Sequence, residues 1–270
     1  MRLVTANDYI FDTLMTDDDK IAYNIFSVIR NDQSAFIVTD DKYYIYARNS
    51  KRDPHWLFLK STPDESAFEE LVSLISGMLK LNPILRVNGR TEYIAPILKT
   101  VSERTGVNHI TENEMTVYSC AELHQIPEKG SMIAPLEEHR QILTEYVTEM
   151  QNDHEKYFMP EEDTEKFVNA LLNSKSLYLW EHNGRIVSMA KIAHRGAIFG
   201  RINTVFTDTA SRGKGYTRML VGTMTKMLMD EGLIPVIYAD DDDVDVKEAY
   251  LNIGYKSYGG IVQFAFNSYN

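Results

Sequence analysis

The stretch Ser211–Arg218, SRGKGYTR, combines Gly213 and Gly215 with the cations Arg212, Lys214 and Arg218 in a chain whose formal net charge is −11. It follows the strand-like run RINTVF and precedes a long helical pattern. A glycine turn that opens a helix leaves several backbone N–H groups without intrahelical partners, and the helix dipole adds partial positive charge there. Glycine lets the chain curl so that these donors converge, and the three cations add to the local field. Such a turn holds anions, most often phosphate. The plainer alternative is a helix start with solvated basic residues, the glycines serving only the bend.

Three phosphate motifs compete for the stretch. The P-loop pattern fails, because Gly213-Lys214 is followed by Gly215 rather than Ser or Thr and no glycine stands five positions before Gly213. The dinucleotide fingerprint has its G-x-G in Gly213 and Gly215 and an acid, Asp240, at the end of the next strand. Its third glycine position is Arg218, however, and the link TDTAS is too long for glycines that should follow the strand directly. The third pattern fits best. The run RINTVFTDTASRGKGYTRMLVGTMTKMLMDEG resembles the acyl-coenzyme A loop of the GNAT acetyltransferase superfamily, with Arg212, Gly215 and Thr217 at its signature positions. Thr217 departs from the small residue usual at the last of these. The resemblance continues through the hairpin YLWEHNGRIVSMAKIAH upstream and through PVIYAD and AYLNIGY downstream, covering about residues 131 to 266. It is nearest to bacterial members that carry a second, degenerate GNAT-like half at the N-terminus.

The resemblance implies transfer of an acyl group, most simply acetyl, from acetyl-coenzyme A to an amine without a covalent enzyme intermediate. The donor's pyrophosphate is then expected on the backbone of Arg212, Gly213, Lys214, Gly215, Tyr216 and Thr217. Its pantetheine arm is expected along Val205 and Thr207, where two parallel strands splay apart. An N–H there would also support the oxyanion that develops on the thioester carbonyl. Tyr250 matches the family's general-acid tyrosine, which protonates the leaving thiolate. The family's glutamate base has no counterpart in RINTVFT, which leaves His194, Asp208 and Asp240 as candidates, with Asp240 favoured either as base or as a charge that attracts the amine. The acidic run Asp240 to Asp243 replaces a loop that in related sequences contacts the cofactor.

The elements that must position these residues are legible in the second half. SMIAPL reads as a short strand, and Leu136, Leu143, Val147 and Met150 recur at helical spacing. PEEDTEKFVNALLNS is a helix opened by Pro160. The hairpin turns at His182-Asn183-Gly184, a helix over Met219 to Leu228 closes at Gly232, LIPVIYA is a buried strand, a short helix carries Tyr250, and IVQFAF is the last strand. The first half reads as a hairpin around Asp40-Asp41, the strand HWLFLK and two helices, ESAFEELVSLISGMLK and YIAPILKTVSERTG, an order similar to that of the second half. At the place of the glycine turn it reads STPDESAFEE, with no glycine and no cation, so one cofactor site per chain is expected. The junction is drawn near residue 126, in ELHQIPEKGSMIAP, giving a degenerate domain over 1–126 and a catalytic domain over 127–270. The expected class is α/β, a twisted mixed sheet flanked by helices in each half.

Composition narrows the function. Acidity without a basic stripe argues against nucleic acid, no apolar run approaches a membrane span, and the N-terminus MRLVTANDYIFDT has no secretory pattern. The single cysteine, Cys120, ends the alternating run MTVYSC and reads as a buried thiol in a reducing cytoplasm. Scattered histidines suggest no metal cluster. The sequence therefore points to a cytoplasmic transferase, an N-acetyltransferase acting on the amine of a small molecule or peptide, as a monomer or homodimer. The competing reading is an inactive acyl-coenzyme A sensor that has kept the loop and lost turnover.

Overall fold

A computed structural model describes residues 1–6, 8–50, 53–153, 160–241 and 244–266, and the chain divides into two compact units. One comprises Met1–Val117 with the end of the chain from Ser257, the other Tyr118–Lys256. Each carries sheet and helices, the mixed α/β class expected from the sequence.

The first unit opens with β1 (Arg2–Leu3) and three short helices, α1 (Ile10–Thr13), α2 (Asp17–Ala22) and α3 (Phe26–Ile29), none long enough to show a period in sequence. The hairpin β2 (Phe36–Thr39) and β3 (Tyr44–Arg48) follows. Its turn is held by the Asp40 carboxylate, which accepts from the N–H groups of Lys42, Tyr43 and Tyr44 at 3.1, 2.8 and 3.1 Å. β4 (His55–Leu59) lies antiparallel to β3, α4 (Glu65–Leu81) crosses over, and β5 (Arg86–Gly89) returns parallel to β4. After α5 (Thr91–Thr105) comes the long strand β6 (His109–Cys120). Leu71, Val72 and Ile75 of α4 and Ile94, Ile97, Leu98 and Val101 of α5 bury their apolar stripes on Leu57, Val87 and Phe264 of the sheet.

In the second unit β7 (Ser131–Ile133), α6 (Arg140–Asp153), α7 (Glu161–Asn173), β8 (Leu177–His182), β9 (Arg185–Arg195) and β10 (Phe199–Thr207) come first. α8 (Tyr216–Asp230), β11 (Ile234–Asp240), α9 (Val244–Ile253) and β12 (Tyr255–Phe266) follow. Asn183 and Gly184 both take positive φ, 51° and 71°, the geometry a two-residue hairpin needs to match strand twist. Side chains alternate across the sheet. Leu177, Leu179 and Met189 face a cluster with Leu143, Tyr146 and Val147 of α6 and Val168 and Leu171 of α7. Tyr178, Trp180 and Ala190 face the other cluster, with Met219, Leu220 and Met224 of α8 and Tyr250 and Ile253 of α9. The order hairpin, strand, crossover helix, parallel strand, helix is thus the same in both units.

The position beside the parallel strand is filled in each unit from the other end of the sequence. β5 is followed by β12, paired antiparallel from Val262↔Gly89 to Ala265↔Arg86. β11 neighbours the end of β6, where the Ser119 hydroxyl donates to the Pro235 carbonyl at 3.0 Å. The compact units therefore change over at Val117/Tyr118 and Lys256/Ser257, whereas the sequence reading draws a single junction near residue 126. The physical reason is long-range: Val262, Phe264 and Phe266 bury their side chains in the α4/α5 cluster, which no local pattern announces.

One buried group makes the first unit sensitive to acid. His55 is 2% exposed and its Nδ1 is hydrogen-bonded to the Tyr46 hydroxyl. Burial, with a smaller contribution from the Arg48 charge, lowers its pKa from 6.5 to about 4. Between these values the unfolded chain binds a proton that the folded chain does not, so stability falls as pH drops through that window. Thermal unfolding followed at pH 7, 6 and 5 should show a falling Tm, and His55→Asn should flatten that part of the profile. An unchanged slope in the variant would assign the acid sensitivity elsewhere.

Candidate active site

β10 and β11 run parallel and paired from Phe199↔Ile234 to Ile202↔Ile237, and their pairing stops there although both strands continue. The cause lies in β10. Its register against β9 shifts between Asn203 and Phe206, and Thr204 takes a positive φ of 51°. An extra residue of this kind bends a strand away from its neighbour. Pairing with β9 resumes at Phe206↔Met189 and Thr207↔Ser188, and the Asp208 N–H donates to the Val187 carbonyl at 3.1 Å. Residues of an antiparallel ladder turn their polar backbone alternately to one side and the other. Asp208 and Phe206 face β9, so Val205 and Thr207 turn N–H and C=O into the gap that β11 has left. The Thr207 carbonyl accepts from Arg212 Nε at 3.2 Å.

The glycine turn adjoins this gap. A single 3-10 turn over Thr209–Ser211 is started by Asp208, whose carboxylate accepts from the Ala210 N–H at 3.4 Å and the Ser211 hydroxyl at 2.8 Å. Gly213 and Gly215 then take φ of 73° and 81°. A Cβ would meet nothing within 4 Å at Gly213 and only the end of Met219, at 3.8 Å, at Gly215. The glycines are therefore required by backbone conformation rather than by space, since a left-handed residue with a side chain costs about 1–2 kcal/mol. Gly215 is the N-cap of α8, no side chain caps that helix, and no acid stands in its first turn. The amides of Tyr216, Thr217 and Arg218 begin the helix there, before intrahelical pairing is established.

The cations around the turn are held by backbone oxygens. Arg212 lies over the Phe206 ring at 5.6 Å, Lys214 Nζ donates to the Ala210 carbonyl at 2.8 Å, and Arg218 donates to the Gln125 carbonyl at 2.8 Å. For Lys214 and Arg218 these acceptors are neutral carbonyls. The equivalent place in the first unit is different. There α4 begins at Asp64, whose carboxylate accepts from the Ala67 N–H at 3.0 Å and pairs with Lys42 at 3.1 Å. That helix start already holds its own anion.

Thr217 has a structural explanation. Its hydroxyl meets that of Thr207 at 2.8 Å, Thr207 meets Ser188 at 2.9 Å, and Ser188 donates to the Phe206 carbonyl at 2.8 Å. This chain of hydroxyls ties the first turn of α8 to the end of β10 and to β9. Ser188 was invisible to sequence reasoning, because a serine in an alternating strand carries no signal of a cross-strand partner.

The remaining expected residues separate by face. Tyr250 is buried in the α8/α9 cluster together with Val205, Tyr216 and Ala239, with ring centroids 6.1 Å from Tyr118 and 5.9 Å from Tyr255. Asp240 follows Ala239 at the end of β11, so alternation turns it to the opposite face, at the same end of the gap. Asp241 pairs with Lys247 at 2.9 Å, which neutralises part of the acidic run, and Asp242 and Asp243 lie outside the described residues. Asp208 is committed to its turn. His194 pairs across the ladder with Arg201, ahead of the gap, and burial together with the Arg201 charge lowers its pKa to about 4.

Replacing Thr217 by Val keeps its shape and removes the hydroxyl. Denaturant unfolding should report a loss of about 1 kcal/mol. A change within error would mean that the hydroxyl chain contributes nothing to stability.

Residues 139–255, all in the second unit, match the sequence model described as Acetyltransferase (GNAT) family. A search of curated proteins finds no match to the chain. Among solved structures the chain is similar to an acetyltransferase from the GNAT family from Colwellia psychrerythraea, with a TM-score of 0.56 at 16% identity, over 99% of this chain and 100% of that one. It is also similar to a Drosophila protein (TM-score 0.64, 10% identity, 98% of this chain and 97% of that one). A GCN5-related N-acetyltransferase from Kribbella flavida gives 0.59 at 11% identity, over 92% and 95% of the two chains. At these identities the likeness is one of fold. The family match lies on the unit that holds the gap and the glycine turn, so residues 139–255 form a GNAT acetyltransferase domain, which marks the protein as an acyltransferase.

Proposed function

We propose that the chain moves an acetyl group from acetyl-coenzyme A to the amine of a small molecule or peptide by direct attack. The observation that carries this reading is the conjunction of an uncapped, acid-free start of α8 with the gap between β10 and β11. The backbone of Arg212 to Thr217 would receive the pyrophosphate, and Arg212 and Lys214 would balance its charge. The polar backbone of Val205 and Thr207 would pair with the amides of the pantetheine arm as a strand would.

In the reaction the neutral amine forms a bond to the thioester carbon, whose oxygen becomes an oxyanion. The Val205 N–H is the donor suited to it. Collapse breaks the carbon–sulfur bond, and the thiolate takes the proton of the Tyr250 hydroxyl. The amine's own proton passes to Asp240, directly or through water, on the face opposite Tyr250. Proton transfer by a positioned acid contributes about 10²- to 10⁴-fold. The first unit, whose element order matches and whose helix start is closed by Asp64, is read as a diverged GNAT-like half without a cofactor site. Among the described residues no helix is long and apolar enough to cross a membrane, and we place the enzyme in the cytoplasm as a monomer or homodimer.

A second reading, an acyl-coenzyme A sensor without turnover, is favoured by the occupation of Asp208 and of Asp241 in other contacts. Titration calorimetry with acetyl-coenzyme A, with NAD as the comparison, tests both. Saturable binding of acetyl-coenzyme A alone is expected. Gly215→Glu, which strains the turn and puts a carboxylate at the anion site, should abolish it. Tyr250→Phe should lower kcat on an amine panel at least about 100-fold while leaving the acetyl-coenzyme A Kd unchanged. Absence of binding would sink both readings, and binding without turnover on any amine would select the sensor.

A further inference from the structure

On the face of the second sheet that meets α6 and α7, the apolar surface gives way toward β11 to a polar patch. The register Arg201↔His194 and Asn203↔Lys191 sets four polar side chains on that face, since cross-strand partners point the same way. Lys191 is also opposite Leu177, which belongs to the α6/α7 cluster and so fixes which face this is. The Arg201 guanidinium lies over the Tyr238 ring of β11 at 5.4 Å. Tyr238 stands two positions before Asp240, about 7 Å along the strand.

Three atoms of this patch are buried without a hydrogen-bond partner: Nε2 of His194, Nε of Arg201 and Oδ1 of Asn203. Among the described residues neither Arg201 nor Lys191 makes an ion pair, whereas the adjacent Arg195, on the other face, pairs with Glu231 at 3.0 Å. A half-buried arginine without an anion, beside an imidazole nitrogen and an amide oxygen that are buried and also unsatisfied, is costly for folding alone. The His194 ring is neutral at physiological pH, so the surplus charge on the patch is that of Arg201 and Lys191. A guanidinium stacked on an aromatic ring keeps its edge for the oxygens of a carboxylate or phosphate.

We propose that this patch binds an anionic group of the acceptor, so that the substrate is an amine carrying a carboxylate or phosphate several bonds from the nitrogen. The inference rests on the acetyltransferase reading, in which the amine reacts at the gap beside Asp240. Arg201 would hold the anion about two strand positions away, and Lys191 and Asn203 would complete its shell. Asp240, at the far end, repels the anion and attracts the ammonium, which fixes the direction in which such a substrate lies. Arg201 acts here as a binding residue and takes no part in proton transfer.

The test is a matched acceptor series, read as release of free thiol from acetyl-coenzyme A. Aminocarboxylates from glycine to 6-aminohexanoate and the corresponding aminoalkyl phosphates are compared with their uncharged amides and with plain alkylamines. The wild-type protein should prefer one anionic set by about 10- to 100-fold in kcat/KM, the span a charge-assisted hydrogen bond supports, and the preferred set tells carboxylate from phosphate. In Arg201→Gln the ratio of anionic to uncharged acceptor should fall toward one while the acetyl-coenzyme A Kd is retained, which shows that the variant is folded. Equal rates for charged and uncharged amines, or a preference that survives Arg201→Gln, would overturn the proposal. If no amine of the series reacts, thermal shift with the same compounds in the presence of coenzyme A decides. A stabilisation by the anionic members that disappears in Arg201→Gln supports the site, and its absence overturns it. Loss of acetyl-coenzyme A binding in the wild-type protein would instead refute the acetyltransferase reading on which this one stands.

Discussion

Two parallel strands that begin paired and then part leave a row of backbone donors and acceptors that must find other partners. That is the situation of β10 and β11 beyond Ile202↔Ile237, and the organisation of the second unit depends on it. The bulge at Thr204 turns β10 aside, while the ladder to β9 resumes at Phe206 and keeps the bent segment from fraying. Buried clusters brace both faces of the sheet. A gap of this kind is a strand-shaped vacancy with an edge of polar backbone, and the hydroxyl chain Ser188–Thr207–Thr217 locks its rim to the first turn of α8.

The two units differ in one local choice at the start of the crossover helix. Both place a helix after a strand in the same order of elements. In the first unit Asp64 supplies the helix start with a carboxylate from the chain itself. In the second, Gly215 supplies none, and no side chain caps the helix. The surrounding electrostatics follow the same logic. The chain as a whole is acidic, yet Arg212, Lys214 and Arg218 are fixed by carbonyl oxygens.

The two faces of the sheet differ in what they offer the gap. The α8/α9 side is aromatic and dry, with Tyr250, Tyr118 and Tyr255 in one cluster and the Tyr255 hydroxyl bonded to that of Thr225 at 2.8 Å. Burial pushes the Tyr255 phenol well above its ordinary value, so it stays protonated at any physiological pH. The other side carries Asp240 and, farther back, the unsatisfied groups of His194, Arg201 and Asn203. A protein that buries polar atoms without partners is less stable than one that satisfies them, and such groups persist where a bound molecule supplies the missing half.

Sequence by itself determined the local elements and the glycine-built shape of one turn. The hairpin at Asn183-Gly184, the helices α4, α5, α7 and α8, and the glycines of the turn were legible because periodicity, capping and φ preference act over a few residues. The three short helices before Arg30 were not, since one turn of helix shows no period, and β5 was missed because RVNG has no alternation long enough to read. Tertiary structure alone decided the rest. Which strand completes each sheet, the exchange of β6 and β12, depends on where Phe264 and Phe266 bury their side chains. The side of the sheet to which Asp240 turns and the gathering of Lys191, His194, Arg201 and Asn203 depend on strand register, and a shift of one residue would send each of these strand residues to the other face. Register is set by contacts between residues far apart in the chain, and for that reason it is written nowhere in any short stretch of it.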